Sequence, residues 1–190
     1  MLTPVALSSK FASAAPYEVY VAKGTSDQQA KWKTASDRVA LTAAQQAFLG
    51  AFTRKVNILV SSGIWCGDCS AQCPMLAAIG RANPRLIDVR FLDRDDHMDL
   101  AEEIRICGGL RVPTAIFMNE EVGLLSVVGD KTLSRLRASA ARKLGAACEI
   151  PGAPVAADET AATVQDWLNE VERVHLLARL STKLRGKHGD

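Results

Sequence analysis

Hydrophobic positions change their spacing several times along the chain, and each change marks an element. Residues 1–54 read as helical. Ser26 can cap a helix that starts at Asp27. Thr42-Ala-Ala-Gln45 is a capping-box pattern ahead of Phe48, Leu49 and Phe52. The continuous apolar run Val56-Asn-Ile-Leu-Val60, bounded by Ser and Gly, predicts a buried strand. An amphipathic helix follows over 66–81, broken by Asn83-Pro84. Leu86 to Leu92 reads as a strand, and 97–107 as a helix stopped by Gly108-Gly109. Val112 to Met118 is a strand with a proline near its start, a turn covers Asn119 to Glu121, and Val122 to Val128 is a further strand. Residues 131–145 read as a helix and 149–158 as a linker. A last helix over 159–185 carries Val164, Trp167, Leu168, Val171, Val174 and Leu177 at helical spacing, a stripe for its own domain or for a second copy.

From 55 to 145 the order is β-α-β-α-β-β-α. Two strands joined through a helix should run parallel, and the last two are close enough for a hairpin. A chain of 190 residues buries roughly 70% of its unfolded surface, so it needs no disulfide staple. Its 23 basic and 21 acidic residues leave a net charge of +2, which argues against nucleic-acid and membrane partners. No run of 18 apolar residues predicts a membrane span. The segment MLTPVALSSKFASAAP contains a signal-peptidase-like ASA-AP, but no Lys or Arg precedes its short apolar stretch, so a cytoplasmic protein is expected.

Five cysteines, an odd number, point to catalysis, metal binding or simple burial rather than a disulfide framework. Three of them, Cys66, Cys69 and Cys73, lie where the first strand enters a helix. A cysteine at a helix N-terminus meets unpaired N–H groups and the positive end of the macrodipole, which favour its thiolate. That makes Cys66 the candidate nucleophile. Cys69, one turn later, is placed to displace whatever Cys66 captures. Gly67 allows a turn and the approach of another backbone. Asp68, in the first helical turn, suits the dipole but should disfavour a thiolate beside it. A rival reading remains open. Cys66-x2-Cys69-x3-Cys73-Pro74 resembles part of a ferredoxin ligand run, and an Fe–S or zinc module could use these three thiols with Cys107 or Cys148 as the fourth.

Trp65-Cys66-Gly67-Asp68-Cys69 resembles the WCGPC motif of the thioredoxin-like superfamily, with Asp in place of Pro. Pro74 stands where that family has a helix-kinking proline, Val112-Pro113-Thr114 is similar to its cis-proline loop, and Val122 to Gly129 resembles its final strand and closing glycine. The likeness covers residues 55–145, and Trp-Cys-Gly-Asp-Cys in particular is similar to a bacterial WCGDC-type subgroup with helical N-terminal extensions. It implies an α/β, thioredoxin-like fold: a central mixed sheet flanked by helices, with extra N-terminal and C-terminal helices. The implied divisions are a helical extension packed on the core (1–54), the thioredoxin-like domain (55–147), and a linker with a C-terminal helix (148–190). The implied activity is dithiol–disulfide exchange on a protein or small disulfide, with a reductase as electron donor and no cofactor or metal. Trp65 and Pro113 would flank the site, and Val112 would offer its backbone to an extended substrate. The buried carboxylate that thioredoxins carry six residues before the first cysteine is replaced here by Val60.

The remaining chemistry-bearing residues read as structural. Cys73 and Cys107 are expected to be buried, and Cys148 to be exposed in the linker. Asp93, Asp95, Asp96, His97 and Asp99 lack the Gly and Glu of a calcium loop and read as a helix N-terminal loop. Arg111 reads as a solvated charge beside the groove, and Arg179, Lys183, Arg185 and Lys187 as cations favoured at a helix C-terminus. His175 and His188 show no partner pattern, and Ser61 and Ser62 no Ser–His–Asp context. A homodimer through the terminal helices is possible.

Overall fold

The computed structural model describes residues 2–144 and 154–189. Helices α1 (Pro4–Ser13), α2 (Tyr17–Val21), α3 (Ser26–Ser36) and α4 (Ala43–Gly50) precede strand β1 (Val56–Ser62). Then come α5 (Gly67–Ala82), β2 (Ile87–Asp93), α6 (Met98–Glu103), β3 (Thr114–Met118), β4 (Leu124–Gly129) and α7 (Leu133–Leu144). Helices α8 (Glu159–Leu180) and α9 (Thr182–His188) close the described chain. The linker expected at 149–158 and Cys148 fall wholly or largely outside the described residues. Among the described residues, no helix is long and apolar enough to cross a membrane.

The sheet runs β2-β1-β3-β4. β1 and β2 are parallel, with Val56 opposite Ile87 and Ser62 opposite Asp93. β3 is antiparallel to both β1 and β4. Every residue of β1 is buried, which is why its sequence is a continuous apolar run rather than an alternating one. The two faces feed separate clusters. Val56, Ile58 and Val60 join Leu76 and Ile79 of α5 and Trp167, Leu168, Val171 and Val174 of α8. Leu59, Leu92, Ile116 and Met118 pack with Leu7 and Phe11 of α1. The result is a four-stranded mixed sheet flanked by helices, with additional helices at both ends. Gly80 lets α5 lie close on β2, because a Cβ there would stand 2.8 Å from Val89 Cγ2.

Several expected boundaries move for local reasons. The cap of α3 is Thr25, not Ser26. Its Oγ1 accepts from Gln28 N while Gln28 Oε1 accepts from Thr25 N, a capping box one residue earlier than expected. The box at Thr42 and Gln45 forms as read. α6 ends at Glu103 rather than 107, so Cys107 falls in a turn at φ 49 and is exposed, not buried. β4 starts at Leu124 because Asn119 Oδ1 accepts from both Glu121 N and Gly123 N and holds the turn longer. The single helix expected over 159–185 divides at Ser181, whose backbone is extended and whose Oγ caps α9 at 3.3 Å from Leu184 N.

The stripe on α8 lies against the sheet, α5 and α7 of the same chain. Leu177, counted in that stripe from the sequence, is 43% exposed. Ala178 and His175 are buried instead. His175 does have partners: its Nε2 accepts from Thr53 N at 3.2 Å and Arg54 N at 3.3 Å, and its ring stacks on Phe52 at 4.0 Å between centroids. His188 and Lys187 of α9 reach Glu121 at 3.2 and 2.7 Å and so tie α9 to the β3–β4 turn.

Candidate functional site

β1 delivers the chain into the loop Gly63-Ile64-Trp65, and Cys66 then caps α5 in an extended conformation. Trp32 Nε1 on α3 donates to Ile64 O at 2.9 Å and so fixes that loop from the N-terminal extension. The cysteines form a file running inward. Cys66 is half-buried, while Cys69 and Cys73 are fully buried. The sulfurs of Cys66 and Cys69 are near enough to shift each other's titration, and Cys73 bears on Cys69 in the same way. Gly63 N donates to Cys69 Sγ at 3.4 Å, and Ser62 Oγ lies 3.6 Å from Cys73 Sγ. All three thiols are free.

The loop before β3 covers Cys66 from the other side. The Val112–Pro113 peptide bond is cis, and Val112 O lies 3.7 Å from Cys66 Sγ. Thr114 Oγ1 donates to Arg111 O at 2.9 Å and steadies this loop. The end of β4 presses on it: a Cβ on Gly129 would stand 2.6 Å from Pro113 O and 2.9 Å from Thr114 Cα, so only glycine fits. Gln72 on α5 donates to Asp130 O at 2.9 Å and links the helix to the same corner. Trp65 is 52% exposed beside Cys66. It is held by the Arg94 guanidinium, 4.8 Å from its ring, and by Asp95 Oδ2, which accepts from its Nε1 at 3.2 Å. Gly67 departs from expectation. A Cβ there meets nothing within 4 Å and its φ is ordinary, so the position provides open space rather than a turn only glycine can make.

The electrostatics revise two expectations. Asp68 is not a bare charge beside the thiols. Lys131 Nζ lies 2.7 Å and Arg135 Nη2 2.8 Å from its oxygens. Burial pushes its carboxyl up, but hydrogen bonds from Lys131 and Arg135 outweigh this and hold it below the usual range. The helix start also does not hold Cys66 ionised alone. The Cys69 sulfur beside it, ahead of burial, pushes the Cys66 thiol up, while the N–H groups of Cys69 and Asp68 pull it down. Burial pushes Cys69 up. The two sulfurs titrate as a pair, and a charge on either disfavours a charge on the other, so the pair keeps at least one proton near neutral pH. The first charge belongs on Cys66, the more exposed sulfur, with the helix N–H groups around it.

The residues expected at the site from the sequence do assemble: Trp65, Cys66, Gly67, Asp68 and Cys69 at the head of α5, with Val112 and Pro113 facing Cys66. Arg111, 3.8 Å from Asp130, stands at the rim, and Cys107 is exposed in the turn after α6. Lys131, Arg135, Arg94 and Gln72 were not foreseen, because their sequence neighbourhoods carry no pattern pointing to the cysteines. Asp95 was read only as part of a loop. Among the described residues, no three His, Cys, Asp or Glu side chains are grouped to hold a metal ion.

A cysteine pair at the head of a helix, packed under a proline loop on a four-stranded mixed sheet, defines a thioredoxin-like protein. A family model described as Thioredoxin matches residues 14–132, and the chain belongs to the thioredoxin family. Among solved structures, a Pseudomonas aeruginosa protein of unknown function is 18% identical, with a TM-score of 0.68 over 89% of this chain and 96% of that one. An HIV epitope scaffold is likewise 18% identical, with a TM-score of 0.68 over 87% and 97%. At this identity the likeness concerns the fold. No curated protein matches the chain significantly.

Proposed function

We propose that the protein is a thiol–disulfide oxidoreductase of the WCGDC type. The observation that carries this reading is the Cys66–Cys69 pair: one sulfur half-exposed at a helix N-terminus, the other buried within reach of it, with Val112 O 3.7 Å from the first. Cys66 attacks a disulfide sulfur, the leaving thiolate departs, and Cys69 attacks Cys66 in the mixed disulfide to release the second thiolate. The outcome is an oxidised Cys66–Cys69 pair and a reduced substrate. Exposed Trp65 and the Val112-Pro113 edge flank the substrate, and the open space above Gly67 admits its backbone.

On this reading the substrate is a protein or small-molecule disulfide, and a partner reductase in the cytoplasm restores the dithiol. Neither step calls on a metal or organic cofactor bound to this chain. The test is reduction of insulin by the reduced protein together with a redox titration in glutathione buffers. Wild type turns over and titrates as a two-electron couple. Cys66→Ser loses both, and equal turnover by that variant would end the proposal.

A further inference from the structure

The cleft at Cys66 has two walls. Trp65 stands on the loop that leaves β1, and Val112-Pro113 on the loop that enters β3. One side chain touches both loops. Arg94 lies in the turn that follows β2, and β1 separates β2 from β3 in the sheet. Neighbouring strands are about 4.8 Å apart, so β2 and β3 are about 10 Å apart. The backbone of that turn is fixed first. Arg94 N donates to Ser62 O at 2.7 Å, and Asp93 Oδ1 accepts from Asp95 N at 3.0 Å. The guanidinium then reaches three partners. It lies 4.8 Å from the centroid of the Trp65 ring. Its Nε and Nη2 donate to Asp95 Oδ1 at 2.9 and 2.6 Å, and its Nη1 donates to Leu110 O at 3.2 Å. Asp95 Oδ2 in turn accepts from Trp65 Nε1 at 3.2 Å. The ring also lies against Gly63, where a Cβ would stand 2.8 Å from Trp65 Cε2. Leu110 is two residues before Val112, whose carbonyl oxygen lies 3.7 Å from Cys66 Sγ. Arg94 therefore joins the Trp65 wall to the Val112 wall across the head of the sheet.

We propose that Arg94 is a positioning residue that sets the spacing of these walls for a disulfide carried on an extended polypeptide. This rests on the exchange reading above and narrows its substrate class from any disulfide to a polypeptide one. A polypeptide must meet both walls at once: its backbone lies along Val112 while a neighbouring side chain meets the exposed ring of Trp65. Both walls are loops, so their spacing depends on a cross-link between them. A planar guanidinium stacks on a ring, pairs with a carboxylate and donates to a carbonyl in one fixed geometry, which an ammonium cannot do. A small disulfide needs only the half-exposed sulfur of Cys66 and neither wall. Arg94 bonds to neither cysteine sulfur. It acts through Trp65 and the Val112 loop, by holding the chain where Cys66 attacks, and leaves the exchange step itself as written above.

The test compares the reduced full chain with its Arg94→Gln and Arg94→Lys variants on two substrates. Insulin carries its disulfides on polypeptide, and hydroxyethyl disulfide has no chain. Acid-quenched mixtures give a second-order rate constant for each. Arg94→Gln is expected to lower the ratio of the insulin constant to the hydroxyethyl disulfide constant roughly tenfold. Arg94→Lys keeps the charge but not the planar fork, and should still lower that ratio at least about threefold. A second readout follows the ring directly. Trp32 and Trp167 are 1% and 0% exposed, so quenching of fluorescence by acrylamide reads Trp65, and it should rise in both variants. Arg94→Lys decides the matter if Arg94→Gln does not fold. An unchanged ratio, which equal slowing on both substrates would give, overturns the proposal. So does a native ratio in Arg94→Lys, which would make charge rather than geometry the cause, or unchanged quenching. Failure of the wild type to reduce either substrate instead sinks the exchange reading on which the proposal stands.

Discussion

Replacing Asp68 with asparagine removes the one carboxylate in the Cys66–Cys69 turn and leaves Lys131 and Arg135 facing a neutral amide. In the native protein their nitrogens lie 2.7 and 2.8 Å from its oxygens. The three side chains are 28%, 19% and 17% exposed, so solvent screens them only in part. A hydrogen bond to a charged group contributes about 1.5–3 kcal/mol. Lys131 retains Asp130 at 3.1 Å, and Arg135 retains Glu159 at 3.1 Å, so the loss is less than two full bonds. We expect Asp68→Asn to cost about 2 kcal/mol. For a chain of this size that lowers Tm by about 4–8 °C. The pH dependence supplies a second check. The Asp68 carboxyl titrates below its ordinary 3.8, so its contribution is present above that value and is lost as pH falls through the folded pKa. The Tm gap between wild type and variant should therefore be full at about pH 7 and close towards about pH 3. Calorimetry across that range measures it. Iodoacetamide alkylation against pH reads the site itself: with the Asp68 charge gone and both cations still near the helix start, the rate curve of the variant should move to lower pH. Equal Tm values at neutral pH, or a gap undiminished in acid, would refute this reasoning.

Other perturbations probe the frame around the site. Gly129→Ala places a methyl group 2.6 Å from Pro113 O and 2.9 Å from Thr114 Cα, both backbone atoms. It should cost at least about 1–3 kcal/mol in denaturant titrations and reduce disulfide exchange; a fully stable, fully active variant would contradict the packing described. Trp167→Ala empties a fully buried position between α8 and the sheet, beside Phe117. The expected loss is about 3–5 kcal/mol in urea unfolding, and a loss under about 1 kcal/mol would mean that α8 does not seal the core. His175 is held below its ordinary 6.5 by burial first and then by Arg179 and Arg54. Below 6.5 the unfolded chain takes up that proton first, so the stabilisation from His175 is present above 6.5 and lost as pH falls towards the folded value. Urea midpoints at about pH 5 and about pH 7.5 should differ more in wild type than in His175→Gln; equal differences would refute it.

What the sequence by itself determined is local. The continuous apolar run of β1, the capping box at Thr42 and Gln45, and the Asn83-Pro84 break each act within a few residues, so the element order could be read in one pass. The Cys66–Cys69 turn was legible for the same reason, since a strand running into a helix puts the first cysteine at the helix start. Cys107 misled because its exposure depends on one turn of helix that does not form. Tertiary structure alone decided what surrounds the sulfurs. Arg135 meets Asp68 across 67 residues, and Tyr20 meets Asp93 across 73. Such meetings follow from which helix lies over which strand, and no spacing along the chain encodes that. The distant partners Lys131 and Arg135 set the charge around Asp68, in the turn between the two cysteines. The sequence picked out the cysteine pair; the packing chose its electrostatic surroundings, because Coulomb and hydrogen-bond energies depend on distance through space rather than along the chain.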